Sequence, residues 1–224
     1  MRFSKEAIRK AMQLYVVTDR TWLKGARLAD VCKEVLEHGA TFLQIREKVL
    51  GEGEFEREAR ELKGLCEAYG VPFVVNDNIE IARRVDADGV HVGQTDVQGK
   101  DVRALIGPDK ILGISAATVE EARAAEQAGA DYIGVGAVFG TSTKKNARNL
   151  TVETLREISA AVQIPVVAIG GINGESLPRL QGSGVDGVAV ISAVFAPEHP
   201  GKAAEQLLKL SERVLELRTE EAAP

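Results

Sequence analysis

Residues Gly129–Gly136 read GADYIGVG: a glycine, a two-residue turn, then a run of small and apolar residues. Gly129 has the character of a helix-ending glycine, and Tyr132–Ala137 that of a buried strand, so the stretch is a tight turn from helix to strand. The same pattern recurs at Gly39-Ala40-Thr41-Phe42-Leu43 and Gly184-Val185-Asp186-Gly187-Val188, with a looser copy at Asp86-Ala87-Asp88-Gly89-Val90. Each copy leads into a strand, and the strands are the second, fourth, sixth and eighth. An echo on even strands alone is the mark of a fold built from repeated double units.

Working outward, eight short apolar runs can be placed: Leu14–Asp19, Thr41–Arg46, Phe73–Asp77, Gly89–Gly93, Ile111–Ser115, Tyr132–Ala137, Pro165–Gly171 and Gly187–Ser192. They are nearly continuous in apolar character, as parallel strands covered by helices are. Helical patterns lie between them. Phe55, Ala59, Leu62, Cys66 and Tyr69 form one apolar stripe, and Leu207, Leu210, Val214 and Leu217 form another within Gly201–Arg218. Eight such units predict a single-domain (β/α)8 barrel over 14–218, with a short N-terminal helix in 1–13 and a frayed tail at 219–224. A doubly wound open sheet uses the same alternation and is the second choice.

Composition narrows the function. The net charge is −5, so no basic excess exists to neutralise a nucleic acid. The start, MRFSKEAIRKAMQLYVV, has no continuous apolar core of a secretory signal, and no apolar run approaches the roughly 18–20 residues of a membrane span. A cytoplasmic protein without membrane contact is expected. Cys32 and Cys66 fall at apolar helical positions and read as buried free thiols. Homo-oligomerisation is left open.

In a barrel the loops after the strands share one face, and active sites are built there. Here the strand ends carry Gln44-Ile45-Arg46-Glu47-Lys48, Asn76-Asp77, Asp96, Ser115, Gly140-Thr141-Ser142-Thr143-Lys144, Gly170-Gly171 and Ile191-Ser192. Any one of these alone is more often a turn, a cap or a solvated residue. Their gathering on seven of eight strand ends is not explained that way. Gln44 also needs hydrogen-bond partners inside a strand core, whereas His91 reads as a strand histidine rather than a catalytic one. Arg46, Lys48 and Lys144 are cations beside the carboxylates Asp77 and Asp96. Carboxylates in an anion site call for a bridging metal, and Mg²⁺ binds through one or two carboxylates plus substrate phosphate. Glycines and small residues after strands seven and eight suit a second phosphate.

These motifs resemble the thiamine-phosphate synthase family. The resemblance runs from Leu14-Tyr15-Val16-Val17-Thr18-Asp19 to Val190-Ile191-Ser192-Ala193, and includes Gly89-Val90-His91-Val92-Gly93-Gln94-Thr95-Asp96, Gly113-Ile114-Ser115 and Ala168-Ile169-Gly170-Gly171-Ile172. It implies a TIM-barrel transferase of thiamine biosynthesis. Such an enzyme joins an aminopyrimidine diphosphate to a thiazole phosphate and releases diphosphate (and CO2 when the thiazole is carboxylated). It implies one Mg²⁺ held by Asp77 and Asp96. It assigns the pyrimidine diphosphate to Gln44, Ile45, Arg46, Glu47, Lys48, Asn76, Ser115 and Lys144. Thr141, Ser142, Thr143, Gly171, Ile191 and Ser192 take the thiazole phosphate. Ser115, Lys144, Arg46 and Lys48 are the catalytic set. One departure stands out: Ala117 occupies a position where many relatives carry histidine. A thiazole tautomerase, another phosphate-binding barrel isomerase, or a non-catalytic thiamine-phosphate-binding regulator are the rival readings.

Overall fold

The computed structural model describes residues 3–94, 101–140 and 150–215. Eight parallel strands are present: β1 Leu14–Val17, β2 Phe42–Ile45, β3 Phe73–Asn76, β4 Gly89–Val92, β5 Ile111–Ala116, β6 Tyr132–Gly136, β7 Val166–Ile169 and β8 Gly187–Val190. They pair in sequence order and close on themselves. The closure is made by β1 against β8, with Leu14 beside Val188 and Val16 beside Val190, which excludes the open sheet.

Every expected strand is found. Most end earlier than the apolar pattern suggested, because the last residues leave the ladder to build loops. Helices wrap the outside: α1 Lys5–Ala11, α2 Leu28–Glu37, α3 Glu52–Tyr69, α4 Ile79–Arg84, α5 Val102–Ile106, α6 Val119–Gln127, α7 Val152–Ala160, α8 Ser192–Phe195 and α9 Pro200–Val214. Local chemistry sets several boundaries. Ser4, Asn78, Asp101, Thr118 and Thr151 cap the helices that follow them by accepting a backbone N–H. α3 stops where Gly70 turns left-handed at φ 67°. The final helix is shorter than the expected Gly201–Arg218, and the expected tail at 219–224 lies outside the described residues.

Alternation along the strands divides the core in two. Val16, Leu43, Val75, Val90, Ile133, Ala168 and Val188 face outward into the layer between barrel and helices. Tyr15, Phe42, Val74, Ile111, Tyr132, Val167 and Ala189 face inward, and Ile8 and Met12 of the N-terminal segment plug the lower end against them. Gly187 lets that plug approach, since a Cβ there would lie 1.7 Å from the Met12 carbonyl oxygen.

The repeated turn has a structural explanation. Gly39, Gly129 and Gly184 are left-handed (φ 104°, 80° and 76°), and Asp86 takes the same role at φ 53°. The residue just before each even strand reaches back to the preceding odd strand. Thr41 Oγ1 accepts from Leu14 N at 2.8 Å, and Asp88 Oδ2 from Phe73 N at 2.9 Å. Asp131 Oδ2 accepts from Leu112 N, and Asp186 Oδ2 from Val166 N, both at 2.8 Å. Four odd strands are thus tied at their first or second residues to their even neighbours, which is why the echo skips every other strand.

Candidate active site

Inward alternation on β2 continues from Phe42 through Gln44 to Arg46. Gln44 is a buried amide, and its side-chain Nε2 donates to the Tyr15 hydroxyl. From there a hydrogen-bonded chain crosses the barrel. The Tyr15 and Tyr132 hydroxyls are 2.8 Å apart. The Tyr132 hydroxyl is 3.0 Å from His91 Nδ1, and His91 Nε2 is 3.0 Å from Ser115 Oγ. Burial raises the pKa of both phenols well above their ordinary value, so both keep their protons. Glycines make the room: a Cβ on Gly113 would lie 2.2 Å from Tyr132 Cζ, and one on Gly134 3.1 Å from His91 Cε1. His91 is therefore the strand histidine its sequence context suggested, with both ring nitrogens engaged.

Above this layer the charged residues converge. Arg46 leans on Asp19, Nη1 to Oδ2 at 3.8 Å. Lys48 Nζ donates to Asp77 Oδ2 at 2.6 Å, and Asn76 Nδ2 donates to Asp77 Oδ1 at 2.8 Å. Asp77 holds a left-handed backbone, φ 60°, secured by its N–H on the His91 carbonyl at 2.8 Å. A non-glycine residue there stores backbone strain, a feature that clusters at functional sites. A cleft of about 240 Å³ opens beside these groups, lined by Asp19, Arg20, Thr21, Trp22 and Arg46 to Val49.

Two of the expected β2 residues have their side chains engaged elsewhere in the structure. The Ile45 side chain points outward into the barrel–helix layer. The Glu47 carboxylate is used within its own loop. Oε1 accepts the N–H groups of Lys48, Val49 and Leu50 at 2.7, 2.7 and 3.2 Å, and Oε2 accepts from Arg20 Nε at 2.6 Å. Burial opposes its charge, but the N–H groups of Val49, Leu50 and Lys48 together with Arg20 outweigh it and hold the carboxyl below its ordinary value.

On the opposite side, Gly170 and Gly171 are left-handed at φ 100° and 65°. They lie flat against the segment after β6: Val138 N donates to Ile169 O and Phe139 N to Gly170 O, each at 3.0 Å. A Cβ on Gly171 would meet the Phe139 and Gly140 carbonyl oxygens at 2.6 Å. Ile191 follows β8 and precedes exposed Ser192, the first residue of α8. Ala117 donates its N–H to Glu121, 2.7 Å away, inside the cap of α6. Asp96, Thr141, Ser142, Thr143 and Lys144 lie outside the described residues.

The structure thus brings Gln44, Arg46, Lys48, Asn76, Asp77 and Ser115 from three strands, β2, β3 and β5, to one end of the barrel. Sequence reading missed Tyr15 and Tyr132. The available signal was a phenol in each of two strand cores, since a buried hydroxyl needs partners as a buried amide does.

The family model for thiamine monophosphate synthase matches residues 14–194. A thiamine-phosphate synthase of Clostridium tetani is 47% identical over 194 residues, covering 87% of this chain and 93% of that protein. One from Methanobrevibacter smithii is 44% identical over 198 residues, covering 88% and 94%. The solved structure of a thiamine phosphate pyrophosphorylase from Pyrococcus furiosus superposes with a TM-score of 0.85 at 42% identity, covering 93% of this chain and all (100%) of that one. With similarity that runs from the first strand past the last, the chain belongs to the thiamine monophosphate synthase family, transferases of thiamine biosynthesis.

Proposed function

We propose that this transferase moves the 4-amino-2-methylpyrimidinylmethyl group from its diphosphate to the nitrogen of a thiazole phosphate, releasing diphosphate, in a Mg²⁺-dependent reaction in the cytoplasm. The observation that carries it is the convergence of Arg46, Lys48, Asn76 and Asp77 above the Gln44–Ser115 hydrogen-bonded layer. An isomerase needs an acid–base residue and one phosphate site, whereas this end of the barrel pairs cations with a carboxylate over a polar floor.

The donor chemistry fits Mg²⁺. Asp77 offers hard oxygens at the mouth, and no cluster of three or more His, Cys, Asp or Glu gathers among the described residues. Such a set matches a hard cation that keeps water and phosphate as its other ligands. Asp77 and Asp96 would hold the ion, which when bound supplies charge against the leaving diphosphate.

The remaining work falls to the chain. Arg46 and Lys48, with Lys144, bind the diphosphate and oppose its growing charge as the carbon–oxygen bond breaks. Gln44 and Ser115 orient the pyrimidine, whose amino group pushes electron density into the ring and stabilises the methylene cation. Thr141, Ser142, Thr143, Gly171, Ile191 and Ser192 fix the thiazole phosphate so that its ring nitrogen faces that carbon. Two anchored anions make the encounter effectively intramolecular. No protein nucleophile is needed, in keeping with His91 being bonded through both nitrogens. The purified chain given both substrates should form thiamine phosphate and diphosphate in equal amounts, with turnover depending on added Mg²⁺. Absence of product from folded, Mg²⁺-supplied protein overturns the reading.

A further inference from the structure

The chain Gln44–Tyr15–Tyr132–His91–Ser115 has a direction. Gln44 Nε2 donates to the Tyr15 oxygen. Tyr15 then gives its own proton to Tyr132, 2.8 Å away. Tyr132 in turn donates to His91 Nδ1, which leaves the ring proton on Nε2, donated to Ser115 Oγ. With Gln44 Nε2 as the first donor, every buried hydroxyl proton finds an acceptor only in this order. The reverse order requires all the protons to flip together with the Gln44 amide, because neither buried phenol can lose its proton or leave it unpaired.

We propose that Tyr15, Tyr132 and His91 are positioning residues that lock the two ligand-facing ends to opposite polarity, Gln44 Oε1 as acceptor and the Ser115 hydroxyl as donor. Gln44 Oε1 takes no hydrogen bond from any described residue, and the Ser115 hydroxyl has its proton free once Nε2 of His91 is the donor to it. A heterocycle with an amino group beside a ring nitrogen matches: the amino donates to Gln44, and the ring nitrogen accepts from Ser115. The corresponding 4-oxo ring presents its carbonyl oxygen to Gln44 Oε1 and its ring N–H to the Ser115 hydroxyl proton, so acceptor meets acceptor and donor meets donor. The inference rests on the proposed pyrimidine site and adds to it a cause of selectivity that lies in residues touching no substrate.

The test measures binding of two non-reacting probes, 4-amino-2-methyl-5-hydroxymethylpyrimidine monophosphate and its 4-oxo counterpart, by calorimetry. Wild type should prefer the amino form by roughly 30-fold or more, since a site built for one hydrogen-bond pattern rejects the reverse. Tyr132→Phe keeps the ring packing against Tyr15 and Phe42 but cuts the chain. Its preference should fall to about 3-fold or less, mainly by losing the amino probe, with kcat for coupling down about 10-fold. KM for thiazole phosphate should move less than about twofold. Equal weakening of both probes, or an undiminished preference, overturns the proposal. Tyr15→Phe cuts the chain nearer Gln44 and decides the matter by the same criterion if Tyr132→Phe does not fold. Wild type that makes no thiamine phosphate would instead overturn the proposed reaction, so the two failures are separate.

Discussion

Glu47 carries a charge, yet its side chain is only 3% exposed. The family resemblance assigned it to the pyrimidine diphosphate; in the fold both oxygens are engaged by the loop and by Arg20. Glu47 is then a residue that shapes the loop carrying Arg46 and Lys48. Glu47→Gln keeps an acceptor for the loop N–H groups but loses the charge. At pH 7 the variant should melt roughly 2–4 °C lower, about 1 kcal/mol for a domain of this size. The pH dependence has a definite sign. The folded carboxyl titrates below its ordinary value of 4.5, so its charge contributes fully above that value and is lost as pH falls through the depressed one. The melting gap between wild type and variant should therefore persist at neutral pH and close in acid. Thermal scans from pH 7 to 3 check this, and a gap that stays constant into acid would mean the charge is not its source.

Among elements, the repeated turn is the most informative. Its glycines and its strand-leading Asp or Thr were legible as a pattern, and the even-strand spacing was legible too. The reason for that spacing was not, because the partner of Asp131 is Leu112, a residue 19 positions away across a strand boundary. Asp131 also holds Arg103 at 2.7 Å. Asp131→Ala leaves the Leu112 N–H buried without an acceptor, at a cost of about 2 kcal/mol. The urea midpoint should drop with the m-value unchanged, and Asp131→Asn should recover part of the loss by restoring an acceptor. A midpoint unchanged in the alanine variant would show that the tie contributes nothing. The same limit on legibility applied at β2: the strand and its polar end from Gln44 to Lys48 were legible, but the loop that captures Glu47 is a tertiary arrangement with Arg20.

Across the whole molecule, the apolar plug and the gathered polar residues sit at opposite ends of the barrel. Ile8 is fully buried and packs with Met12 against the inner layer at the end away from Arg46 and Asp77. Ile8→Ala should cost about 2–4 kcal/mol while leaving kcat within about twofold, measured by denaturant titration beside the coupling assay. A large fall in kcat with small loss of stability would mean the two ends are coupled. The amino-acid order alone determined the eight strand–helix units and the set of polar residues at the strand ends, because those follow from local periodicity and from turn chemistry within a few residues. Only the tertiary structure decided which polar groups bond to one another. The line from Gln44 through two tyrosines and a histidine to Ser115 joins β2, β1, β6, β4 and β5. Contacts between strands so distant in the chain arise when the barrel closes, and glycines at 113 and 134 leave the space into which those side chains fit.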